Sequence, residues 1–378
     1  MRSSPPLRTA AAVLLPVVLA MASCDTDPAR VHGTVAGPYA VVTTTDFSTG
    51  TLAAVALDGS YRTDESVAPI CSDAVVRSYG GLVYVVNRLT CDNIQILDPG
   101  DGFALVGQFS VGNGSDPHDI VVVGDDKAYV TRYNTTELWV VDPTTGAHTG
   151  TIDMGTLADA DGIPEMDQMA VAGGRLFVTL QRVDRNSAGW DPTDASFLAV
   201  VDLEADTLLD ADAATPGKQP VALTHKNPFS TLKTHPVTGD LYVACVGAWG
   251  GTDGGVDAVD PVTLAPTGVL LSGVAAQGDI TDVEVVSADR GYAIFTDASF
   301  YTVLVAFDPQ SGAVTDTVYA PGDFVLQDVE LAPTGDIFVA DRTPTAPGLR
   351  VYDAATGVAR RAVPVDVGLP PFSITFTE

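Results

Sequence analysis

The sequence predicts an all-β protein, a seven-bladed β-propeller whose C-terminal strand closes blade 1. Three observations predict this fold. A unit of short strands recurs along the chain, an Asp ends the third strand of each unit, and the first unit lacks a leading strand that the last residues can supply. Units of about 40 to 50 residues with about four short strands each are typical of propellers. No helical period is sustained after the N-terminal segment, so we expect almost no helix.

The clearest copy of the unit is Ser115–Gly146. Asp119–Gly124 is a short apolar run, Asp125-Asp126 is a tight turn, and Lys127–Tyr133 alternates between apolar and polar side chains. Leu138–Asp142 is a third strand, and the Pro-Thr-Thr-Gly that follows it favours a bent backbone. The stretch therefore predicts one blade whose consecutive strands are joined by turns.

The same pattern divides the rest of the chain into seven units. The Asp residues that end the third strands are separated by 40 to 60 residues. These markers are Asp58, Asp98, Asp142, Asp202, Asp260, Asp308 and Asp353. The predicted middle strands are Tyr39–Thr43, Leu82–Val86, Ala128–Thr131, Leu176–Thr179, Leu241–Ala244, Gly291–Phe295 and Ile337–Ala340.

The last residues supply the strand that the first unit lacks. Nothing before Tyr39 resembles the apolar run that opens the other units, whereas Pro371–Phe376 matches Pro117–Val122 and Pro228–Leu232. We therefore predict that the C-terminus forms the innermost strand of blade 1. Closure of the ring in this way leaves only short, protected sheet edges.

The N-terminus predicts export. Arg2 and Arg8 precede an apolar run, Thr9–Leu19, and then Met21-Ala22-Ser23-Cys24. A short apolar run after basic residues is typical of a secretory signal, and its small-small-Cys ending resembles the lipobox of bacterial lipoproteins. This resemblance implies a signal peptide at 1–23, lipidation of Cys24, a tether at 24–36 and a propeller at 37–378. The protein would then be held in the cell envelope, at the outer membrane or on a periplasmic face. Ordinary secretion and a retained membrane helix are the alternatives.

The remaining cysteines predict one disulfide. The alignment of the units puts Cys71 and Cys91 on the same face of one blade, and an oxidising envelope allows such a bond to persist. Cys245 lies inside an apolar strand. We therefore expect a Cys71–Cys91 disulfide and a buried free thiol at Cys245.

Two stretches resemble a known repeat. Gly112–Gly146, with its triplet Tyr129-Val130-Thr131, and Leu82–Asp98 are similar to the YVTN repeat of bacterial seven-bladed propeller lipoproteins. The resemblance covers nearly the whole chain after the signal and implies the propeller fold. It says little about function, because the repeat residues are scaffold and the fold hosts unrelated activities.

The charge of the chain excludes one class of partner. The sequence has 48 acidic and 19 basic residues, which gives a formal net charge of −29. Nucleic-acid binding requires a basic surface that neutralises phosphates. No nucleic-acid partner is therefore expected.

Long loops single out blades 4 and 5. In this fold, the loops that join second to third strands and those that lead into first strands share one rim, here called the top face. Function collects on such loops, and Trp190 and Trp249 lie in the long ones. Exposed Trp side chains suggest a ligand or partner surface, although each Trp could instead cover the end of its own blade. Our ligand-binding candidates on this face are Trp190, Trp249, Arg182, Arg132, His118 and His225.

One loop is a candidate calcium site. Asp159, Asp161, Glu165 and Asp167 surround Gly162 at the start of blade 4. Alternating carboxylates with a Gly at the bend can wrap Ca²⁺, and the sequence Asp159–Glu165 resembles a thrombospondin-type calcium repeat. Only one copy is present and the full EF-hand pattern is absent, so a solvated acidic turn is the alternative.

The channel mouth is a second candidate cation site. The first residues of the innermost strands should meet at the axis on the top face, and four of them, Asp73, Asp119, Asp282 and Asp328, are acidic. Carboxylates that share one axis repel one another unless a cation, water or backbone amides lie between them. Each could cap the backbone of the next blade, or together they could hold a cation such as Ca²⁺. A transition-metal site from His118, His225 and Asp167 is a further possibility.

Two functions from different classes follow. The leading one is a non-enzymatic envelope lipoprotein that binds a small ligand or another envelope protein through the top-face loops of blades 4 and 5. Its architecture resembles that of surface propeller lipoproteins that capture a cofactor for a membrane transporter. The alternative is a cation-dependent lactonase or lyase at the channel mouth. No catalytic residue is assigned, and Ca²⁺ is the only cofactor suggested.

Overall fold

The computed structural model describes residues 37–377 and confirms a seven-bladed β-propeller. The predicted signal peptide at 1–23, the lipidated Cys24 and the tether at 24–36 lie outside the described residues. Seven antiparallel sheets follow one another along the chain, and those of blades 2 to 7 begin with their innermost strand. Helix is confined, within 37–377, to one α-helical turn, α1 (Gly273–Ala276), and two 3-10 turns at Pro99–Asp101 and Gly155–Leu157. No helix in this part of the chain is long and apolar enough to cross a membrane.

The strands of blades 1 to 4 lie within the predicted units. Blade 1 contains β1 (Tyr39–Thr45), β2 (Gly50–Ala56), β3 (Thr63–Ile70) and the last strand of the described chain, β28 (Pro371–Phe376). Blade 2 contains β4 (Ala74–Tyr79), β5 (Leu82–Asn87), β6 (Asn93–Asp98) and β7 (Ala104–Ser110). Blade 3 contains β8 (Pro117–Gly124), β9 (Lys127–Arg132), β10 (Glu137–Asp142) and β11 (Ala147–Asp153). Blade 4 contains β12 (Met166–Ala172), β13 (Arg175–Leu180), β14 (Phe197–Asp202), β15 (Thr207–Leu208) and β16 (Val221–Ala222).

Blades 5 to 7 complete the ring. Blade 5 contains β17 (Lys233–Thr234), β18 (Leu241–Cys245), β19 (Gly255–Asp260) and β20 (Ala265–Ser272). Blade 6 contains β21 (Asp279–Ser287), β22 (Arg290–Thr296), β23 (Thr302–Asp308) and β24 (Ala313–Tyr319). Blade 7 contains β25 (Leu326–Leu331), β26 (Asp336–Asp341) and β27 (Gly348–Asp353), and isolated bridges such as Leu349 to Val365 take the place of a regular outer strand.

The C-terminal strand closes blade 1 as predicted. β28 pairs antiparallel with β1, with Val42 opposite Ile374. The backbone N–H of Tyr39 also donates to the hydroxyl of Thr377 at 2.9 Å. β1 therefore gains an inner neighbour, and the described chain begins and ends on the same face of the ring. This face, which carries the turns between first and second and between third and fourth strands, is called the bottom face.

Seven apolar clusters hold the ring together, one at each contact between neighbouring blades. The period-two alternation of a strand explains them. In β1, Ala40 and Val42 pack toward blade 7, whereas Tyr39 and Val41 pack toward blade 2. The middle strands are therefore apolar on both sides, which is why they read as continuous Val-rich and Ile-rich runs.

The Asp markers cap the turns that follow the third strands. Each carboxylate accepts a hydrogen bond from a backbone N–H two or three residues later, as in Asp142 to Thr144 at 2.8 Å and Asp308 to Gln310 at 2.9 Å. This local bond explains why Asp recurs at the turn. The pKa of most of these carboxyls is lowered, chiefly by a Ser or Thr hydroxyl of the turn at Asp58, Asp142, Asp308 and Asp353, and chiefly by the backbone N–H at Asp202 and Asp260. The same bond occurs at Asp58, Asp98, Asp202, Asp260 and Asp353.

The cysteines are placed as predicted. Cys71 and Cys91 form a disulfide across a sequence separation of 20 residues, on the top face of blade 2. Cys245 is buried in β18 as a free thiol. Burial raises the pKa of this thiol well above its ordinary value, so Cys245 stays protonated and unreactive.

Candidate functional site

The main cavity on the top face is a pocket at the mouth of the central channel, with a volume of about 420 Å³. We call it the mouth pocket. The beginnings of the innermost strands of all seven blades contribute to its wall. Trp190, Leu89, Phe229 and Phe372 supply apolar surface, and the floor is polar. The pocket therefore lies where the repeat brings seven equivalent positions together.

Three of the four predicted channel carboxylates cap the backbone of the next blade. Asp119 accepts the N–H of Met169 at 2.8 Å, and Asp282 accepts the N–H of Val329 at 2.7 Å. In the same way, the carboxyl of Asp328 in blade 7 bonds to the closing strand of blade 1. The fourth, Asp73, instead forms an ion pair with Arg88 at 2.5 Å. Asp119, Asp282 and Asp328 therefore connect neighbouring blades, as one of the two expectations stated, whereas Asp73 does not.

Two partly buried cations that we did not predict from the sequence lie among the channel carboxylates. Arg77 donates to Asp119 at 2.7 Å and to Gln168 at 2.6 Å. Lys233 contacts Glu284 at 2.9 Å and Glu330 at 3.0 Å. The signal was present, because side chains at alternate positions of an innermost strand face the channel, and Arg77 stands four residues after Asp73.

Asp282 and Asp328 are neighbouring buried carboxyls. Burial is the main cause that raises the pKa of Asp328 well above its usual range, and the charges of Glu330 and Asp282 add to it. Burial is likewise the main cause that raises the pKa of Asp282. Glu330 is partly buried, and burial, with the charges of Glu284 and Asp282 adding to it, raises its pKa to about 7.

His118 lies in the pocket between two carboxylates. Its Nδ1 is 2.8 Å from Asp167, and its Nε2 is 3.7 Å from Asp116. The ring stacks on Tyr133 with centroids 4.1 Å apart. Burial opposes protonation, but the bonds to Asp116 and Asp167 prevail and raise the pKa of His118. We call His118, Asp116 and Asp167 the histidine clamp.

Glutamine side chains fix the clamp from below. Asp167 accepts hydrogen bonds from Gln168 at 2.8 Å and from Gln181 at 2.9 Å, in addition to that from His118. Gln181 in turn accepts the hydroxyl of Tyr133 at 2.6 Å. Every one of these groups is therefore held by partners within the protein, and the polar floor is ordered before any ligand enters.

The long loop of blade 4 brings Trp190 to the rim. Trp190 lines the pocket and its side chain is 46% exposed. Arg185 anchors this loop to blade 3. We did not predict a role for Arg185 from the sequence and named Arg182 instead. The guanidinium of Arg185 donates to Glu165 at 2.6 Å and to Asn134 at 2.7 Å, and lies over the Trp190 ring at 5.3 Å. Trp190 is therefore supported from behind while one side remains open.

Trp249 contributes indirectly. It does not line the pocket and is 38% exposed. Its ring packs edge to face against Phe229, with centroids 5.6 Å apart, and Phe229 lines the pocket. Of the two Trp side chains that we expected on one surface, only Trp190 lines the pocket. Phe229 takes the place expected for Trp249, and Trp249 packs behind it.

The other predicted ligand-binding residues lie away from the pocket wall. Arg132 is buried against Trp139 and pairs with Glu137 at 2.9 Å. Arg182 donates to the carbonyl of Ala195 at 2.6 Å. His225 pairs with Asp257 at 2.6 Å within blade 5, so the structure does not place it with His118 and Asp167.

The carboxylates of the predicted calcium loop each bond to a different group of the protein. The Asp159 carboxylate caps the N–H of Asp161 at 3.1 Å, and Asp161 caps Ile163 at 2.9 Å. Glu165 is buried and bonded to Arg185, and burial raises its pKa to about 7. No group of three His, Cys, Asp or Glu residues within 37–377 is arranged to hold a metal ion. Calcium binding therefore stays a prediction.

Exposed aromatic side chains are concentrated on the top face. Among the described residues, eight aromatic side chains are largely exposed, and seven of them lie on top-face loops. The exception is Tyr79 on the bottom face. The seven are Phe47, Trp190, Phe229, Trp249, Phe300, Tyr301 and Phe324.

Solved structures confirm the fold. A protein from Bacteroides fragilis, provisionally assigned as a 6-phosphogluconolactonase, is 15% identical, with 90% of this chain and 98% of that chain covered and a TM-score of 0.61. A functionally unknown protein from Desulfotomaculum acetoxidans is 15% identical over 90% of this chain and 99% of its own, with a TM-score of 0.59. A dihydro-heme d1 dehydrogenase is 14% identical over 93% and 78% of the two chains, with a TM-score of 0.55.

The comparisons do not extend to function. No protein-family model matches the chain, and no curated protein matches it. At 13 to 15% identity the structural neighbours show a shared propeller and nothing about ligand or reaction. The residues of the mouth pocket must therefore carry the functional argument.

Proposed function

We propose that this chain is a non-enzymatic binding protein of the cell envelope that holds a small ligand in the mouth pocket, beneath the loops of blades 4 and 5. The observation that carries the proposal is the pocket itself, with about 420 Å³ of space, aromatic side chains at its rim and a polar floor. Small-molecule sites in proteins have this size and combine apolar walls with a few positioned polar groups.

The order of the floor supports binding. His118, Asp167, Gln168 and Gln181 are already joined by hydrogen bonds of 2.8 to 2.9 Å. A ligand that enters a fixed site does not have to order these side chains, so less of its binding free energy is lost. The exposed aromatic side chains on the same face add apolar contact area, and exposing this area to water costs free energy.

The direction of the chain supports an envelope role. The first described strand, β1, starts at the bottom face, opposite the pocket. A tether of the 13 residues from 24 to 36 spans up to about 45 Å when extended. Lipid on Cys24 would thus leave the pocket directed away from the bilayer and accessible to a ligand.

The alternative, an enzyme of the lactonase or lyase class, has one observation in its favour. His118 faces the pocket and is flanked by two carboxylates, as a residue that moves protons would be. Against it, both ring nitrogens of His118 face carboxylates, and these contacts raise its pKa, so neither nitrogen is open to take a proton from a substrate. We expect no turnover of lactones or esters, with or without Ca²⁺, and turnover that His118→Gln abolishes would replace the binding proposal by the enzymatic one.

Native mass spectrometry of the full chain, extracted from membranes in mild detergent, tests the binding proposal. We expect a small molecule to copurify with the wild-type protein and to be lost in Trp190→Ala and Phe229→Ala. Tyr79→Ala is the matched control, because Tyr79 is 43% exposed but lies on the bottom face. A bound mass that survives both pocket substitutions, or the absence of one, would contradict the proposal. A bound polypeptide in its place would indicate an envelope protein as partner.

A further inference from the structure

We infer that the ligand of the mouth pocket is a small organic cation, an amine or quaternary ammonium compound with an apolar body, and not an anion. This inference rests on the proposed function and specifies its ligand. It follows from the ion pairs that the charged groups of the pocket already form, and from the aromatic surface that remains open to a ligand.

The cations of the pocket wall are all engaged by carboxylates. Arg77 lies 2.7 Å from Asp119, and Arg88 lies 2.5 Å from Asp73. His118 lies between Asp116 and Asp167. An anionic ligand would therefore have to displace a buried ion pair before it found a partner, and leaving a buried charge unpaired is costly.

Two places in the wall carry negative charge in excess. The histidine clamp has two carboxylates for one imidazole ring. Asp282 and Asp328 also line the pocket, and the nearby Lys233 forms its ion pairs with Glu284 and Glu330 instead of with them. A ligand cation can be stabilised at either place. The field of the whole chain has the same sign, since its formal net charge is −29.

The free surfaces of the wall suit the rest of such a ligand. Trp190, Phe229 and Phe372 line the cavity, and Arg88 already lies over the ring of Phe372 at 5.5 Å. Aromatic faces attract cations and pack against apolar groups. A phosphorylated ligand is disfavoured for the reason given above, because the described wall has no uncommitted guanidinium or ammonium group to receive a phosphate.

Three matched probes test the inference by isothermal titration calorimetry on the full chain. They are 3-phenylpropylamine, 3-phenylpropanol and 3-phenylpropionate, which differ in charge but share a phenylpropyl body. We expect the amine to bind at least about tenfold more tightly than the alcohol, and the propionate to bind more weakly still. The affinity of the amine should fall as salt is added, since screening weakens the attraction.

Substitutions locate the charge. Asp116→Asn keeps an acceptor for the N–H of Leu89, which donates to Asp116 at 2.9 Å, but removes one carboxylate of the clamp. Asp282→Asn combined with Asp328→Asn removes both of these carboxyls. Each should weaken the amine by about three- to tenfold and leave the alcohol unchanged. Asp126→Asn, which removes one exposed charge from a bottom-face turn, is the control and should change neither.

The outcomes separate this inference from the function on which it rests. Equal binding of all three probes, or tighter binding of the propionate, overturns the cation inference while ligand binding at the pocket stands. Amine binding that both Asp substitutions leave unchanged also overturns it. No heat from any probe at millimolar concentration, together with no copurified molecule in mass spectrometry, would contradict both.

Discussion

The carboxyl of Asp328 in blade 7 accepts a hydrogen bond from the backbone N–H of Ile374 at 2.6 Å, and Ile374 lies in the strand that closes blade 1. One side chain at the channel mouth thus joins the last blade to the first. Asp119 and Asp282 make the same contact to the blades that follow them. Site and ring closure therefore depend on the same residues.

We predict that Asp328→Ala destabilises the propeller and that Asp328→Asn does not. Alanine leaves the buried N–H of Ile374 without an acceptor, which costs about 1 to 3 kcal/mol. Asparagine resembles the protonated carboxyl, since its oxygen can accept from Ile374 and its amide can donate to Asp282. Urea denaturation followed by circular dichroism measures both free energies of unfolding. Equal stability of the Ala variant and wild type would show that β28 is held by its ladder with β1 alone.

The stability of the protein should depend on pH in two opposite ways. Burial raises the pKa of Glu165 and of Glu330 to about 7, above the ordinary 4.5. Because the folded state then binds protons more tightly, their contribution is complete below about pH 4.5 and is lost as pH rises through 7. The turn carboxylates have lowered pKa values, so their contribution is present above about pH 4 and is lost in acid. We expect maximal thermal stability near pH 5.

Glu165→Gln isolates one of these groups. The amide can still accept from the N–H of Val183, which donates to Glu165 at 3.2 Å, but it does not titrate. The fall in the free energy of unfolding between pH 5 and pH 8 should shrink by about 2 kcal/mol. Chemical denaturation at several pH values checks this, and an unchanged slope would mean that Glu165 is ionised throughout. Glu204→Gln, at an exposed position of a bottom-face turn, is the control.

Trp249 is predicted to act on ligands through Phe229. Trp249→Ala removes the edge-to-face contact, so the Phe229 ring loses its support and binding of 3-phenylpropylamine should weaken by about threefold, less than with Phe229→Ala. Trp249→Phe keeps an aromatic ring beside Phe229 and should restore most of the affinity. Calorimetric titration decides, and a loss as large as that of Phe229→Ala, with no rescue by Phe, would indicate that Trp249 contacts the ligand itself.

Calcium is expected to leave the melting temperature unchanged. Arg77 and Lys233 already neutralise channel carboxylates, and backbone N–H groups bond three of the predicted cation ligands. Melting in EDTA and in millimolar CaCl₂ compares the two states, because an ion that binds only the folded chain raises its stability. A higher melting temperature in calcium would point to the loop from Asp159 to Glu165, and Asp159→Asn would then be expected to remove the increase.

The sequence was informative where structure depends on local periodicity. Asp119, Asp282 and Asp328 were placed at the channel mouth because each occupies the same position of a repeating unit, and Pro371–Phe376 was recognised by its match to other leading strands. The disulfide followed from the same alignment. Repeat position is a local property, so it could be determined without the tertiary structure.

Loop side chains could not be placed in this way. Arg182 and Arg185 lie three residues apart, yet Arg185 anchors the blade 4 loop over Tyr133 while Arg182 turns to its own loop. Their directions depend on backbone torsions and contacts from other blades, which no spacing rule supplies. Arg77 could have been found, because the period-two rule that placed Asp73 also places Arg77 in the channel.

The caps at the ends of the third strands give the bottom face a persistent electrostatic character. Seven carboxylates are distributed around that face, and most of them keep a lowered pKa, so the face remains anionic well into the acid range. On a lipid-anchored chain this face would confront the bilayer. Anionic headgroups within a Debye length of about 8 Å would repel it. Electrostatic repulsion would therefore keep the tethered propeller away from the membrane surface.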